Sequence, residues 1–141
     1  MILYILKLLD WCKIKIKLSR KKSSILFKEG EIWWCHVGLN IREEEYGKGT
    51  EFARPVLIFK KFTTNSFLGL PLTGHERTGS WYVGVKMNDR ISSIMLNQAR
   101  IFDRKRLRER ILTMGDLDFE VVREKFREFY CPLKLATPSQ E

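Results

Sequence analysis

Five or six short runs of β-favouring residues, each closed by a turn signal, constrain this chain more than any other feature of its sequence. Glu31 to Val37 is rich in aromatic and branched side chains, which suit a pleated, half-buried surface. Pro55 to Phe62 is apolar until Lys60 and Lys61, the pattern of a strand buried on both faces, and Phe67 to Leu72 repeats it. Ser80 to Met87 alternates, with Trp81, Val83, Val85 and Met87 on one face and Ser80, Tyr82 and Lys86 on the other. Ser92 to Leu96 and Ala99 to Phe102 are shorter still. Strands this short and this close in sequence predict a small barrel or sandwich.

Two helices are expected after the strands. Asp103 suits an N-cap, Leu107 and Ile111 lie one turn apart, and Gly115 suits a stop. Asp116 opens the second helix, whose apolar stripe is Phe119, Val122, Phe126 and Tyr130. Pro132 ends it, and residues 133–141 read as a tail. The segment Gly38 to Ala53 holds three glycines and six charged residues. A loop of that length inside a small domain is usually functional.

The first 24 residues differ from the rest. They carry seven basic side chains and one acid, Asp10, and so supply +6 of the net charge of +9. Ile5, Leu8, Leu9, Cys12 and Ile16 recur at helical spacing, although Ile14, Ile16 and Leu18 also alternate with lysines as in a strand; helix is the favoured reading. This basic arm is expected to pack as an amphipathic helix on the domain or on a partner. Contact with a membrane surface or a nucleic acid is the alternative. The apolar start, Met1 to Leu6, is too short for a membrane span and lacks the features of a signal peptide. The chain therefore divides into an arm (1–24), a barrel domain (25–132) and the tail.

Three scattered cysteines (Cys12, Cys35, Cys131) and two histidines (His36, His75) give neither a disulfide framework nor a zinc site, so a reducing cytoplasm is expected.

Three blocks stand in order. Gly30-Glu31-Ile32-Trp33-Trp34 opens the first strand. Arg54-Pro55-Val56-Leu57-Ile58 follows the long loop. Ser92 to Asp103, with Arg106-Leu107 after it, is the third. Together they resemble the MazF/PemK family, and Leu70-Pro71-Leu72-Thr73 resembles that family's strand that ends in a threonine. The likeness spans about residues 28 to 130 and leaves the arm outside. It implies a mainly β, SH3-like barrel with C-terminal helices. It also implies a homodimer, an antitoxin partner and cleavage of single-stranded RNA to 2′,3′-cyclic phosphate and 5′-hydroxyl ends, with no metal or other cofactor.

Such cleavage must remove a proton from the 2′-hydroxyl, protonate the leaving oxygen and stabilise the phosphorane's added negative charge. A guanidinium meets the last need, because its planar fork matches two phosphate oxygens. Arg54 and Thr73 match the family's catalytic arginine and threonine. Electrostatic stabilisation is the role expected of Arg54, since a guanidinium is a poor proton shuttle. Taken alone, Arg54 also reads as a structural ion pair with Glu43, Glu44 or Glu45, and Thr73 as a turn hydroxyl.

Glu44 matches the family's loop glutamate and Gln98 a recurrent glutamine of the third block. Both are expected near RNA, against plain readings as a solvated charge and a structural amide. His75 is placed to reach a phosphate, or is simply an exposed turn residue; Lys60 tracks phosphates, or ends a strand. Tyr82 and Phe67 are read by default as core packing, with stacking on unpaired bases as the alternative. His36 is read as packed or facing a dimer partner. The chain departs from one branch of the family, which uses an acid where Asn97 stands and an arginine where Met95 stands; that branch's catalytic scheme does not apply. The rival functions are a CcdB-like topoisomerase-binding toxin and a non-catalytic SH3-like binding module. Neither explains Arg54 and Thr73 together, and the chain lacks the Trp-Gly-Ile tail of CcdB-type toxins.

Overall fold

The computed structural model describes residues 1–41, 44 and 46–133. A helix, α1 (Ile2–Arg20), precedes seven strands: β1 (Glu31–His36), β2 (Ala53–Lys61), β3 (Ser66–Thr73), β4 (Tyr82–Met87), β5 (Arg90–Met95), β6 (Arg100–Asp103) and β7 (Leu107–Thr113). A second helix, α2 (Asp116–Tyr130), follows.

All pairings are antiparallel, in the order β4-β5-β3-β2-β1-β7, and β6 adds to β3 off this path. Strand β3 is the pivot. One edge pairs with β2. Its other edge pairs first with β6, over Ser66 to Gly69, and then with β5, at Leu72 and Thr73. Two partners on one edge bend the sheet into a half-barrel, the expected mainly β architecture in an open form.

Both faces of this sheet are covered, which explains the unbroken apolar runs. Ile32, Leu57, Leu70, Leu72, Val83 and Ile94 face one core, which α2 closes with Phe119 and Val122. Trp33, Val56, Ile58, Phe67, Phe102 and Leu107 form the other, with Phe27 inserted from the connection after α1. Gly69 is required here: a Cβ on it would stand 2.6 Å from Val56 and 2.7 Å from Phe102.

Two expectations need correction. No helix forms over residues 103–115. Asp103 does cap, by accepting a hydrogen bond from the Lys105 backbone, but it caps only a short 3-10 turn, Arg104–Arg106. The chain then enters β7, which pairs with β1 through two register shifts. Those shifts break the alternation that would have marked a strand, and the unpaired edge of β1 overrides local helical spacing. Gly115 is not a stop; it is the N-cap of α2. Trp81 lies outside the core and is exposed beside Tyr82. Phe67 packs in the core as expected by default, fully buried between Phe27 and Phe102.

The arm is helical, but it packs through a narrow contact. Only Trp11 of α1 is buried. Its ring lies over Gly38, where a Cβ would come within 2.5 Å of it, and Gly38 has a φ of +97°. Phe52 and the Arg106 guanidinium flank the same ring at 5.7 and 5.6 Å. The expected tail is Leu133 followed by residues outside those described.

Candidate functional site

The site grows from the register of the central strands. Arg54 near the start of β2 pairs with Cys35 of β1. Val56 pairs with Pro71 of β3. Beyond that pair the link is made by a side chain: Arg54 donates to the carbonyl of Leu72, next to Thr73. Thr73 in turn pairs with Ser93 of β5.

Both candidate catalytic side chains are nearly covered, with 5% of Arg54 and 9% of Thr73 exposed. Arg54 donates from Nε to the Tyr46 carbonyl at 2.8 Å and from a terminal nitrogen to the Leu72 carbonyl at 3.1 Å. The Tyr46 ring lies 5.9 Å from its guanidinium carbon. The Leu72 contact fixes the fork next to Thr73. The Tyr46 contact ties it to the long loop.

That loop is braced at its base. Gly47 donates to the Gly38 carbonyl, Gly38 to the Phe52 carbonyl, and Lys48 and Ala53 exchange both backbone hydrogen bonds. Phe52 takes a left-handed φ of 49° to close it. Further out, the Ile41 backbone donates to the Glu44 carboxylate at 2.9 Å. Glu43 and Glu45, the other proposed partners of Arg54, lie outside the described residues.

Glu44 and Gln98 come together in a cleft of about 360 Å³, lined also by Asn40, Asn97, Ala99 and Arg100. The loop links the two parts of the site, because it carries Asn40 and Glu44 into this cleft and Tyr46 onto Arg54. His75 is exposed in the turn after β3, two residues beyond Thr73, and the same turn is pinned by Arg77 donating to the buried Ser93 hydroxyl at 2.8 Å. Lys60 does not join them. It sits at the other end of β2, about 20 Å from Arg54 by strand geometry, with Nζ 3.9 Å from Glu29.

Sequence reasoning missed Arg100 and Arg106. Arg100 lines the cleft, donates to the Val37 carbonyl and covers the Phe102 ring at 4.6 Å. Burial, and then the charge of Arg106, lower its pKa; Cys35 and Glu44 act in the opposite sense. Arg106 donates to the carbonyls of His36 and Val37. Burial pushes the Cys35 thiol up to about 12 against the pull of both arginines. His36 is packed, with Nδ1 2.7 Å from the Glu51 carbonyl, and burial lowers its pKa despite help from Glu51. The sequence signal was available: two arginines flank a β-run in an otherwise nearly neutral body. Among the described residues no group of three or more His, Cys, Asp or Glu is placed to hold a metal ion.

Residues 28–130 match the family model described as the PemK-like, MazF-like toxin of type II toxin-antitoxin systems. The chain belongs to the MazF/PemK toxin family. Solved structures agree on the fold of this toxin. MazF from Deinococcus radiodurans superposes with a TM-score of 0.61 at 16% identity, covering 74% of this chain and 96% of the other. The MazE-MazF complex from the same organism gives 0.58 at 16% identity, with coverages of 77% and 98%. A mycobacterial endoribonuclease in complex with its cognate antitoxin gives 0.54 at 14% identity, with coverages of 75% and 94%. No curated protein sequence matches the chain significantly. Within the toxin, Asn97 stands in the cleft beside Gln98. Helix α1 precedes the matched residues entirely.

Proposed function

We propose that this toxin is an endoribonuclease that cleaves single-stranded RNA without a metal ion. The observation that carries the reading is the nearly covered Arg54 guanidinium donating to the carbonyl of Leu72, the residue that precedes Thr73 in β3.

In the reaction the 2′-oxygen attacks the adjacent phosphorus and gives its proton to water, and the bond to the 5′-oxygen breaks as that oxygen takes a proton from water. The products are a 2′,3′-cyclic phosphate and a 5′-hydroxyl. The intermediate phosphorane carries one more negative charge than the starting diester. Arg54 offsets that charge in a nearly covered setting, where a fixed cation acts more strongly than in water. The Thr73 hydroxyl donates one further hydrogen bond to a non-bridging oxygen. Glu44 and Gln98 in the cleft, with Arg100 beside them, and His75 in the neighbouring turn contact the flanking nucleotides. Because the Tyr46 carbonyl occupies Nε of Arg54, a phosphate that engages the fork from that edge must displace it.

The relatives crystallised with MazE and with a cognate antitoxin support an antitoxin partner for this toxin, and the family supports a homodimer. A match to the PemK-like model favours cleavage over the topoisomerase-binding alternative.

The test is incubation of the purified toxin with a long single-stranded RNA in EDTA. Cleavage with 2′,3′-cyclic phosphate ends, identified by mass spectrometry, is the expected result. Intact RNA in EDTA and cleavage on adding Mg²⁺ would refute the reading.

A further inference from the structure

We propose that α1 is a membrane-surface element whose apolar first half enters the interface of an anionic bilayer while its basic second half binds the lipid headgroups. Packing against the body of the toxin uses one side of this helix only. Trp11 is buried and Ile14 and Leu18 are half-buried, at spacings of three and four residues. The apolar side chains of the first half have no such cover. Ile2, Leu3, Leu6 and Leu9 are 76%, 66%, 53% and 52% exposed. Single exposed leucines are ordinary, but a contiguous set on one helix marks an interaction surface.

The distribution of charge selects the partner. Residues 2–9 hold one charged side chain, Lys7, whereas residues 13–22 hold six cations and no acid. Polarity is therefore segregated along the helix axis rather than between two faces. A helical partner would meet a lateral apolar stripe with mixed charges beside it. A second copy of α1 would set six cations against six. A bilayer instead offers an apolar layer beneath an anionic one. At 1.5 Å per residue the stretch 2–9 is about 12 Å long, which is within one leaflet of a hydrocarbon core about 30 Å thick. No described helix is long and apolar enough to cross a membrane, so the contact is a surface one. One apolar segment alone anchors weakly, and the lysines supply the second signal.

The experiment uses the whole chain and vesicle co-sedimentation, with no reading of RNA cleavage. Binding to phosphatidylcholine vesicles containing phosphatidylglycerol should exceed binding to pure phosphatidylcholine by at least about tenfold, and should fall with salt. Each of Lys13→Gln, Lys15→Gln and Lys17→Gln should weaken it by about fivefold. Ile5→Asp with Leu9→Asp should abolish it while leaving the melting temperature unchanged, since both residues are exposed on the side away from Trp11. Equal binding to both vesicle types overturns the proposal. So does unchanged binding by the Ile5→Asp, Leu9→Asp variant with full competition by soluble RNA, which would make the basic half a nucleic-acid site. Self-association that this variant dissolves, without vesicle binding, overturns it in favour of a second copy.

Discussion

Arg54 donates from Nε to the carbonyl of Tyr46, and through that bond the central strand of the sheet is tied to the loop over residues 38–53. The same guanidinium holds the Leu72 carbonyl on the other side. A buried arginine gripped by backbone oxygens on two elements has few rotamers open to it. Its orientation is set before any substrate arrives, which is the condition under which a charge stabilises a transition state best.

Thr73 tests whether a hydroxyl is needed beside that charge. Replacing it with valine keeps the shape and removes the donor. Thr73→Val should lower kcat by about 10²-fold with KM little changed, the cost of losing one preorganised donor to a developing anion. Thr73→Ser should stay within several-fold of the native toxin. Equal losses in both variants would assign Thr73 to packing.

Trp11 tests the link between α1 and the loop. Its ring fills the space over Gly38 and against Phe52. Trp11→Ala should cost about 3 kcal/mol, as large-to-small changes at buried aromatic positions do, read as the shift in urea midpoint. The matched change, Gly38→Ala, places a Cβ within 2.5 Å of the Trp11 ring at a φ of +97° and should destabilise in the same direction. A change below about 0.5 kcal/mol in both would mean that α1 is not docked in solution.

His36 makes stability depend on pH. Burial lowers its pKa in the folded state below the ordinary 6.5, so the unfolded chain binds a proton at a higher pH than the folded one does. The stability contributed by the neutral ring is complete above about pH 6.5 and is lost as pH falls toward the depressed folded value. Urea denaturation at pH 7.5 and pH 5.5 should show this loss, and His36→Asn should reduce the difference between the two pH values. An unchanged pH dependence in the variant would remove His36 as its source.

Cys35 should be inert in the folded toxin. With its thiol pushed up to about 12 by burial, almost no thiolate exists at pH 8, whereas Cys12 and Cys131 are exposed. Alkylation with iodoacetamide should label two cysteines in the native protein and all three in urea, counted by intact mass. Rapid labelling of Cys35 in the native state would show that the second core opens readily.

Much of this was legible in the sequence, and the exceptions have physical causes. The strands β1, β2 and β3 announced themselves because both their faces are buried, leaving apolar runs such as Pro55 to Phe59. Strand β7 did not, because its bulged pairing with β1 scatters Leu107, Ile111 and Leu112 off a two-residue period. Arg54 and Thr73 were found by resemblance, and what brings them near each other is the hydrogen bond from Arg54 to the Leu72 carbonyl, which no local pattern records. Lys60 was read as able to track phosphates because it ends β2, the strand that carries Arg54. Strand length alone separates it, since six residues of β2 carry it to Glu29 and α2. The flanking positions of Arg100 and Arg106 were visible, but the place of Arg100 beside Asn40 and Glu44 was not, because the cleft is assembled from segments far apart in the chain. The arm was expected to pack as an amphipathic helix; its apolar residues surround the axis instead, so a single docked face leaves most of them exposed.

The central claim is that the Arg54 guanidinium stabilises the phosphorane. Single-turnover cleavage of a single-stranded RNA in EDTA by Arg54→Ala, with the circular dichroism spectrum and urea midpoint recorded alongside, tests it most directly. The account predicts a fall in rate of at least about 10³-fold in a variant that still folds, with Arg54→Lys recovering little because a point charge lacks the planar fork. A folded Arg54→Ala protein that cleaves within tenfold of the native rate would contradict it.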